Sequence, residues 1–121
     1  MVTHRLVFSG PVPGKKDAMH PRKDRKGYYL DPLHSAQIEA LMWQARKQWT
    51  GKEAIESPQR IAAQFFVPNG RSDLDSKYTT IQDVLVKARV IRNDSIARVK
   101  KFSAEAEIAS EEQAVIEIEV W

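Results

Sequence analysis

Apolar residues return along this chain at two different periods, and the switches between them mark out its elements. His4-Arg5-Leu6-Val7-Phe8 is a short apolar run that predicts a first strand, closed by Ser9-Gly10-Pro11. Residues 27–30, Gly-Tyr-Tyr-Leu, predict a short strand closing a basic hairpin. Asp31 then reads as a helix N-cap, and Pro32 stands at the first helical position, where its missing N–H costs nothing. Ile38, Leu41, Met42, Ala45 and Trp49 follow at helical spacing, predicting an amphipathic helix over residues 32–49 that ends before Gly51. From Ile61 to Val67 the chain is apolar on both sides: Ile61, Ala63, Phe65 and Val67 on one, Ala62 and Phe66 on the other. That pattern predicts a central strand buried on both faces.

Pro68-Asn69-Gly70 closes this strand, and from Ser76 the spacing of Tyr78, Ile81, Leu85 and Ala88 predicts a second helix running to about Arg89. Residues 96–102 and 114–120 predict two last strands; in the second, Ile116, Ile118 and Val120 alternate with Glu117 and Glu119, as in a half-buried antiparallel strand with an acidic wet face. The expected fold is one α+β domain over residues 1–121, a mixed sheet of about four to five strands packed against two helices. No repeat or low-complexity tract interrupts it.

Composition narrows the setting. There is no cysteine, so a disulfide framework and a thiolate zinc site are both excluded, and a reducing cytoplasm fits best. No stretch approaches membrane-spanning length, and no signal-peptide pattern is visible, so a soluble, untargeted protein with no membrane partner is expected. The net charge of +3 hides an asymmetry: residues 1–101 hold all 19 Lys and Arg against 10 Asp and Glu, whereas residues 102–121 hold six Glu and no Lys or Arg. A polyanion would therefore meet the first part of the chain. Its densest basic run is Lys15, Lys16, Arg22, Lys23, Arg25 and Lys26, interleaved with Pro11, Pro13, Gly14, Pro21 and Gly27, the composition of an exposed loop or hairpin. Such a loop either neutralises backbone phosphates with a strong salt dependence or is a solvated loop kept soluble by charge, and composition weighs the two about evenly.

The candidate chemistry lies in Arg71-Ser72-Asp73-Leu74-Asp75 and in Asn93-Asp94. On an extended backbone side chains repeat direction every two residues, so Asp73 and Asp75 would converge on one ion while Leu74 turns into the core. Mg²⁺ takes oxygen ligands octahedrally and retains waters, so two or three carboxylates beside a substrate phosphate would suit it. The plainer alternative is that Asp75 caps the second helix and Asp94 opens a turn. Asp83 lies on the polar side of that helix and is expected to be solvated. His4, His20 and His34 have no metal-ligand spacing, and Trp43, Trp49 and Trp121 are expected in the core or an interface rather than stacked on bases.

Taken together, Asp73-Leu74-Asp75, then Asp83-Val84-Leu85 ten residues after Asp73, then Asn93-Asp94 ending twenty-one after it, resemble the RusA family of Holliday-junction resolvases. The likeness extends over most of the chain: a first strand running into Pro-x-Pro, a basic hairpin, a helix, a strand ending at the acidic motif, a helix and two closing strands. It implies a homodimeric, Mg²⁺-dependent endonuclease of bacteria and their phages that nicks four-way DNA junctions, with Mn²⁺ as an alternative ion. It also implies that Asp73, Asp75 and Asp94 are the metal-binding carboxylates. Two positions depart from the family pattern. Ser72 stands where a basic residue precedes the first Asp, leaving Arg71 one place earlier, and Thr79 stands where a catalytic lysine follows the second Asp by four. Lys77, about 200° around an ideal helix from Thr79, is the remaining candidate for that lysine. The rival expectations are a branched-DNA-binding protein without catalysis, and a nuclease for other branched DNA.

Overall fold

Alternation in the first segment produces β1, Val2–Ser9, where Leu6 and Phe8 are buried and Thr3, Arg5 and Ser9 are exposed. The computed structural model describes residues 1–14, 19–21, 28–70, 73–92 and 101–121. Two three-residue strands, β2 (Met19–Pro21) and β3 (Tyr28–Leu30), pair antiparallel as the expected hairpin. The first helix, α1, covers Pro32–Gln48; Asp31 caps it, its Oδ1 accepting from the Leu33 N–H at 2.9 Å, and Pro32 opens it. Then come β4 (Arg60–Val67), α2 (Leu74–Lys87), β5 (Phe102–Ile108) and β6 (Gln113–Val120).

Four strands form one mixed sheet in the order β1-β6-β4-β5. Strand β6 pairs antiparallel with both β1 and β4, while β4 and β5 run parallel, as a strand–helix–strand connection through α2 requires. Both helices pack on the face that carries Ile61, Ala63, Phe65 and Val67. Leu41 and Ala45 from α1, its C-cap Trp49, and Ile81, Val84 and Leu85 from α2 meet Leu6, Phe8, Ile116 and Ile118 there in one buried cluster. A parallel bridge between Ile55 and Ile91 joins the segments that follow the two helices.

One sequence expectation needs correction. Strand β4 is buried on one face only: Ala62, Gln64 and Phe66 are half-exposed. Both helices contribute to the same side of the sheet, so the run of small and aromatic residues marks a central position in the strand order rather than a strand covered twice. The sequence also left unassigned the strand that follows the expected one at residues 96–102: it is Phe102–Ile108. Its alternation of Phe102, Ala104, Ala106 and Ile108 with Ser103, Glu105 and Glu107 gives a weak apolar signal, because this is an edge strand and largely exposed. Residues 96–100 lie outside the described residues.

The other edge, β1, is closed by side chains. Gln48 of α1 accepts from the Val7 N–H at 2.8 Å and donates to the Val7 carbonyl at 2.9 Å, and Gln44 does the same for Ser9 at 2.7 and 3.0 Å. Each carboxamide thus reproduces the donor and acceptor that a residue of a neighbouring strand would offer, filling the outward hydrogen bonds of the edge at Val7 and Ser9. Gly10, at φ 93°, then turns the chain out of the sheet while its N–H donates to the Glu112 carbonyl at 3.0 Å. A side chain at that φ would be strained.

Candidate functional site

Strands β4 and β5 both deliver their carboxyl ends to one end of the sheet, and α2 begins there. Ala109 closes this end by donating its N–H to the Val67 carbonyl at 2.8 Å. In sheets with parallel strands the crevice beyond the carboxyl ends is where ligands are usually met. Asp73 is the N-cap of α2, with extended φ −82° and ψ 117°, and its Oδ1 accepts from the Asp75 N–H at 3.1 Å. Leu74 is already helical and packs against the core, while Asp75 sits in the first turn; both aspartates are exposed. The Asp-Leu-Asp run is therefore a cap and the first turn of a helix rather than an extended strand, although Leu74 faces inward as expected. The cap is Asp73, not Asp75. Two negative side chains here complement the positive end of the helix dipole.

The adjoining pocket, about 230 Å³, is lined by Val67, Leu74, Ala106 and Ile108, with Asn69, Gly70, Lys77 and Glu107. Lys77 also lines a second pocket of about 290 Å³ on the side of Pro11–Gly14. Its side chain is buried at 7% exposure, and Nζ donates to the Val12 carbonyl at 2.6 Å. Thr79, four residues after Asp75, donates its hydroxyl to the Asp75 carbonyl at 2.9 Å and is half-buried. The structure thus brings Asp73, Asp75 and Lys77 onto two turns of one helix, with Lys77 directed inward and the acids outward. Asp94, Arg71 and the basic residues Lys15, Lys16, Arg22, Lys23, Arg25 and Lys26 lie outside the described residues. Among the described residues no group of three or more His, Cys, Asp or Glu side chains is placed to hold a metal ion. Asp73 and Asp75 supply two hard oxygen donors, a partial set of the kind Mg²⁺ takes when waters and a phosphate complete its shell.

The other singled-out residues fall as follows. Asp83 is half-exposed and lines a groove of about 510 Å³ between α1 and α2, whose floor is Ile38, Met42 and Val84. His4 packs edge-on against Trp49 with centroids 5.0 Å apart, and His34 Nε2 lies 3.2 Å from the Gly14 carbonyl. Trp49 is in the core, its Nε1 donating to the Glu53 carbonyl at 3.0 Å, whereas Trp43 and Trp121 are exposed. Sequence reasoning missed Thr80, whose hydroxyl donates to the Pro13 carbonyl at 2.8 Å. The available signal was the Pro-x-Pro segment, whose carbonyls need donors from elsewhere when it joins no strand.

No known family model matches the chain, and no curated protein does. Among the described residues no helix is long and apolar enough to cross a membrane.

Proposed function

We propose that the protein is a Mg²⁺-dependent endodeoxyribonuclease of the RusA type that resolves four-way DNA junctions in recombination and repair, in the cytoplasm of a bacterium or as a phage product. The observation that carries this reading is the exposure of Asp73, at the N-cap, and Asp75, in the first turn, at the start of α2 and at the carboxyl ends of β4 and β5, in a chain with Asp94 at the family spacing. Asp73 is held in orientation by the Asp75 N–H, and Leu74 pins the turn to the core, so the two carboxylates are presented on a rigid base. With Asp94 they would hold the ion. When bound, Mg²⁺ supplies an acidified water as nucleophile and neutralises charge on the leaving oxygen. Lys15, Lys16, Arg22, Lys23, Arg25, Lys26 and Arg71 would grip backbone phosphates, giving binding that follows DNA shape more than sequence. Paired nicks on symmetry-related strands require two such sites, which a two-fold homodimer provides.

The deciding experiment is cleavage of an immobile four-way junction beside a matched linear duplex, with Mg²⁺ and with chelator, for wild type and Asp75→Asn. Paired symmetric nicks that need both metal and Asp75 are expected; nicking that survives Asp75→Asn or chelation refutes the assignment. A second reading, junction binding without catalysis, is favoured by one observation: Thr79 replaces the lysine, and the Lys77 ammonium is engaged by the Val12 carbonyl. Tight binding with no cut supports it, and Thr79→Lys, at a half-exposed helical position, is then the variant that restores cutting.

A further inference from the structure

After Gly10 the chain passes through Pro11-Val12-Pro13-Gly14 without joining a strand, so these carbonyls have no ladder partners. Three consecutive ones are each met by a helix side chain. Lys77 Nζ donates to the Val12 oxygen at 2.6 Å and Thr80 Oγ1 to the Pro13 oxygen at 2.8 Å, both from α2; the Thr80 hydroxyl shares its one proton with the more distant Ser76 carbonyl at 3.1 Å. His34 Nε2, from the first turn of α1, stands 3.2 Å from the Gly14 oxygen; a carbonyl only accepts, so Nε2 carries the proton. Val12 and Lys77 are 4% and 7% exposed, so their tie lies away from water, where a hydrogen bond keeps most of its strength, while the Thr80 tie is half-buried. Pro11 and Pro13 fix their own φ, so the segment is stiff and three ties suffice to set its direction. From Gly14 the chain continues directly into Lys15 and Lys16.

We infer that Lys77, Thr80 and His34 form a clamp that fixes Val12–Gly14, the residues from which the basic segment continues in sequence, relative to the acidic first turn of α2, which makes Lys77 a positioning residue and not a group that meets the scissile phosphate. What the basic segment and the acidic turn do rests on the nuclease reading; the clamp rests on the contacts alone. An ammonium already buried on a peptide oxygen must break a charge-assisted bond to reach a phosphate outside. Two residues past Asp75, Lys77 also departs about 200° around the axis from it, toward Val12 and away from the exposed carboxylate. The same helix thus holds the acids out to the phosphate and holds the root of the cationic segment at a constant separation from them.

Lys77→Met keeps the unbranched stem and removes the donors; Thr80→Val removes the hydroxyl at equal volume. Two readouts are taken on each folded variant: single-turnover junction cleavage against DNA concentration, and trypsin cleavage between Lys15 and Lys26 mapped by mass. Both variants are expected to raise half-saturating DNA about tenfold and to speed trypsin cleavage there by about the same factor, the effect of losing one strong hydrogen bond, while the maximal rate stays within about threefold. A catalytic Lys77 gives the opposite split, and overturns the clamp: Lys77→Met loses the maximal rate at unchanged half-saturation, and Thr80→Val is silent. Unchanged trypsin cleavage in both variants overturns it as well. If wild type neither binds nor cuts junctions, the nuclease reading has failed and the trypsin comparison still decides the clamp. Should Lys77→Met fail to fold, Thr80→Val alone carries both readouts.

Discussion

Replacing Gln48 by Met is expected to cost about 2 kcal/mol of stability. The Gln48 carboxamide makes two bonds to one residue, accepting from the Val7 N–H at 2.8 Å and donating to its carbonyl at 2.9 Å, in a half-buried position on the β1 edge; Nε2 also donates to the Gln44 carbonyl at 3.1 Å, a bond that adds little because that carbonyl belongs to the helix's own ladder. Met keeps an unbranched side chain of similar length, so packing against the sheet changes little and the loss is chiefly of hydrogen bonds. At about 1 kcal/mol net for each bond, two give the stated figure. Gln44 makes the same pair with Ser9 at 2.7 and 3.0 Å, but in an exposed place where water replaces it, so Gln44→Met is expected to cost about 1 kcal/mol or less. For a chain of 121 residues 2 kcal/mol corresponds to a Tm lowered by about 8 °C. Thermal melts by circular dichroism and urea titrations followed by tryptophan fluorescence, which includes the buried Trp49, measure both effects. An unchanged urea slope would confirm that the folded and unfolded states expose the usual areas. A Gln48→Met melt within about 2 °C of wild type, or a larger loss for Gln44→Met, refutes the account of the carboxamides as edge partners.

Asp73→Asn removes charge but keeps an N-cap of equal quality, so Mg²⁺-dependent cleavage is expected to vanish with the melting temperature unchanged, whereas Asp73→Ala should also lose about 1 kcal/mol; junction nicking by Asp73→Asn would sink the metal assignment. Lys23→Ala with Arg25→Ala is expected to weaken junction binding and to reduce the slope of log K against log salt by about two, read by titration at several salt concentrations; an unaltered slope means the two residues do not touch phosphate. Phe65→Ala, at 1% exposure in the middle of the sheet, is expected to cost about 3–5 kcal/mol in a urea titration, and a loss under about 1 kcal/mol would place the core elsewhere.

The helices and the inner strands were legible because their residues obey local rules. Asp31 and Pro32 mark the start of α1, the stripe from Ile38 to Trp49 sets its buried side, and Ile116 and Ile118 show which face of β6 is covered. The extent of burial of β4 was not legible, since the side of the sheet on which α2 returns is a property of the whole chain. Strand β5, Phe102–Ile108, was not read from the sequence because an exposed edge strand needs few large apolar residues. At the site, the motif located the exposed acids, but a spacing in sequence cannot show that Asp73 rather than Asp75 is the cap. Nor can it show that Lys77 turns inward to a carbonyl sixty-five residues away. That contact depends on tertiary packing, and only the unmet carbonyls of a Pro-x-Pro segment hinted at it.

Strand order has a consequence for how the molecule is made. Strand β6, the last strand along the chain, lies between β1 and β4 and hydrogen-bonds to both. During synthesis every other strand emerges before the one that joins them, so β1 and the β4–β5 pair wait with unfilled edges and an open apolar face. Folding of this sheet is then gated by the last of its strands to emerge, and pairing at this sequence separation is slow compared with helix formation. A chain stopped before Gln113 is expected to hold two unconnected pieces of sheet, each a template for the wrong neighbour.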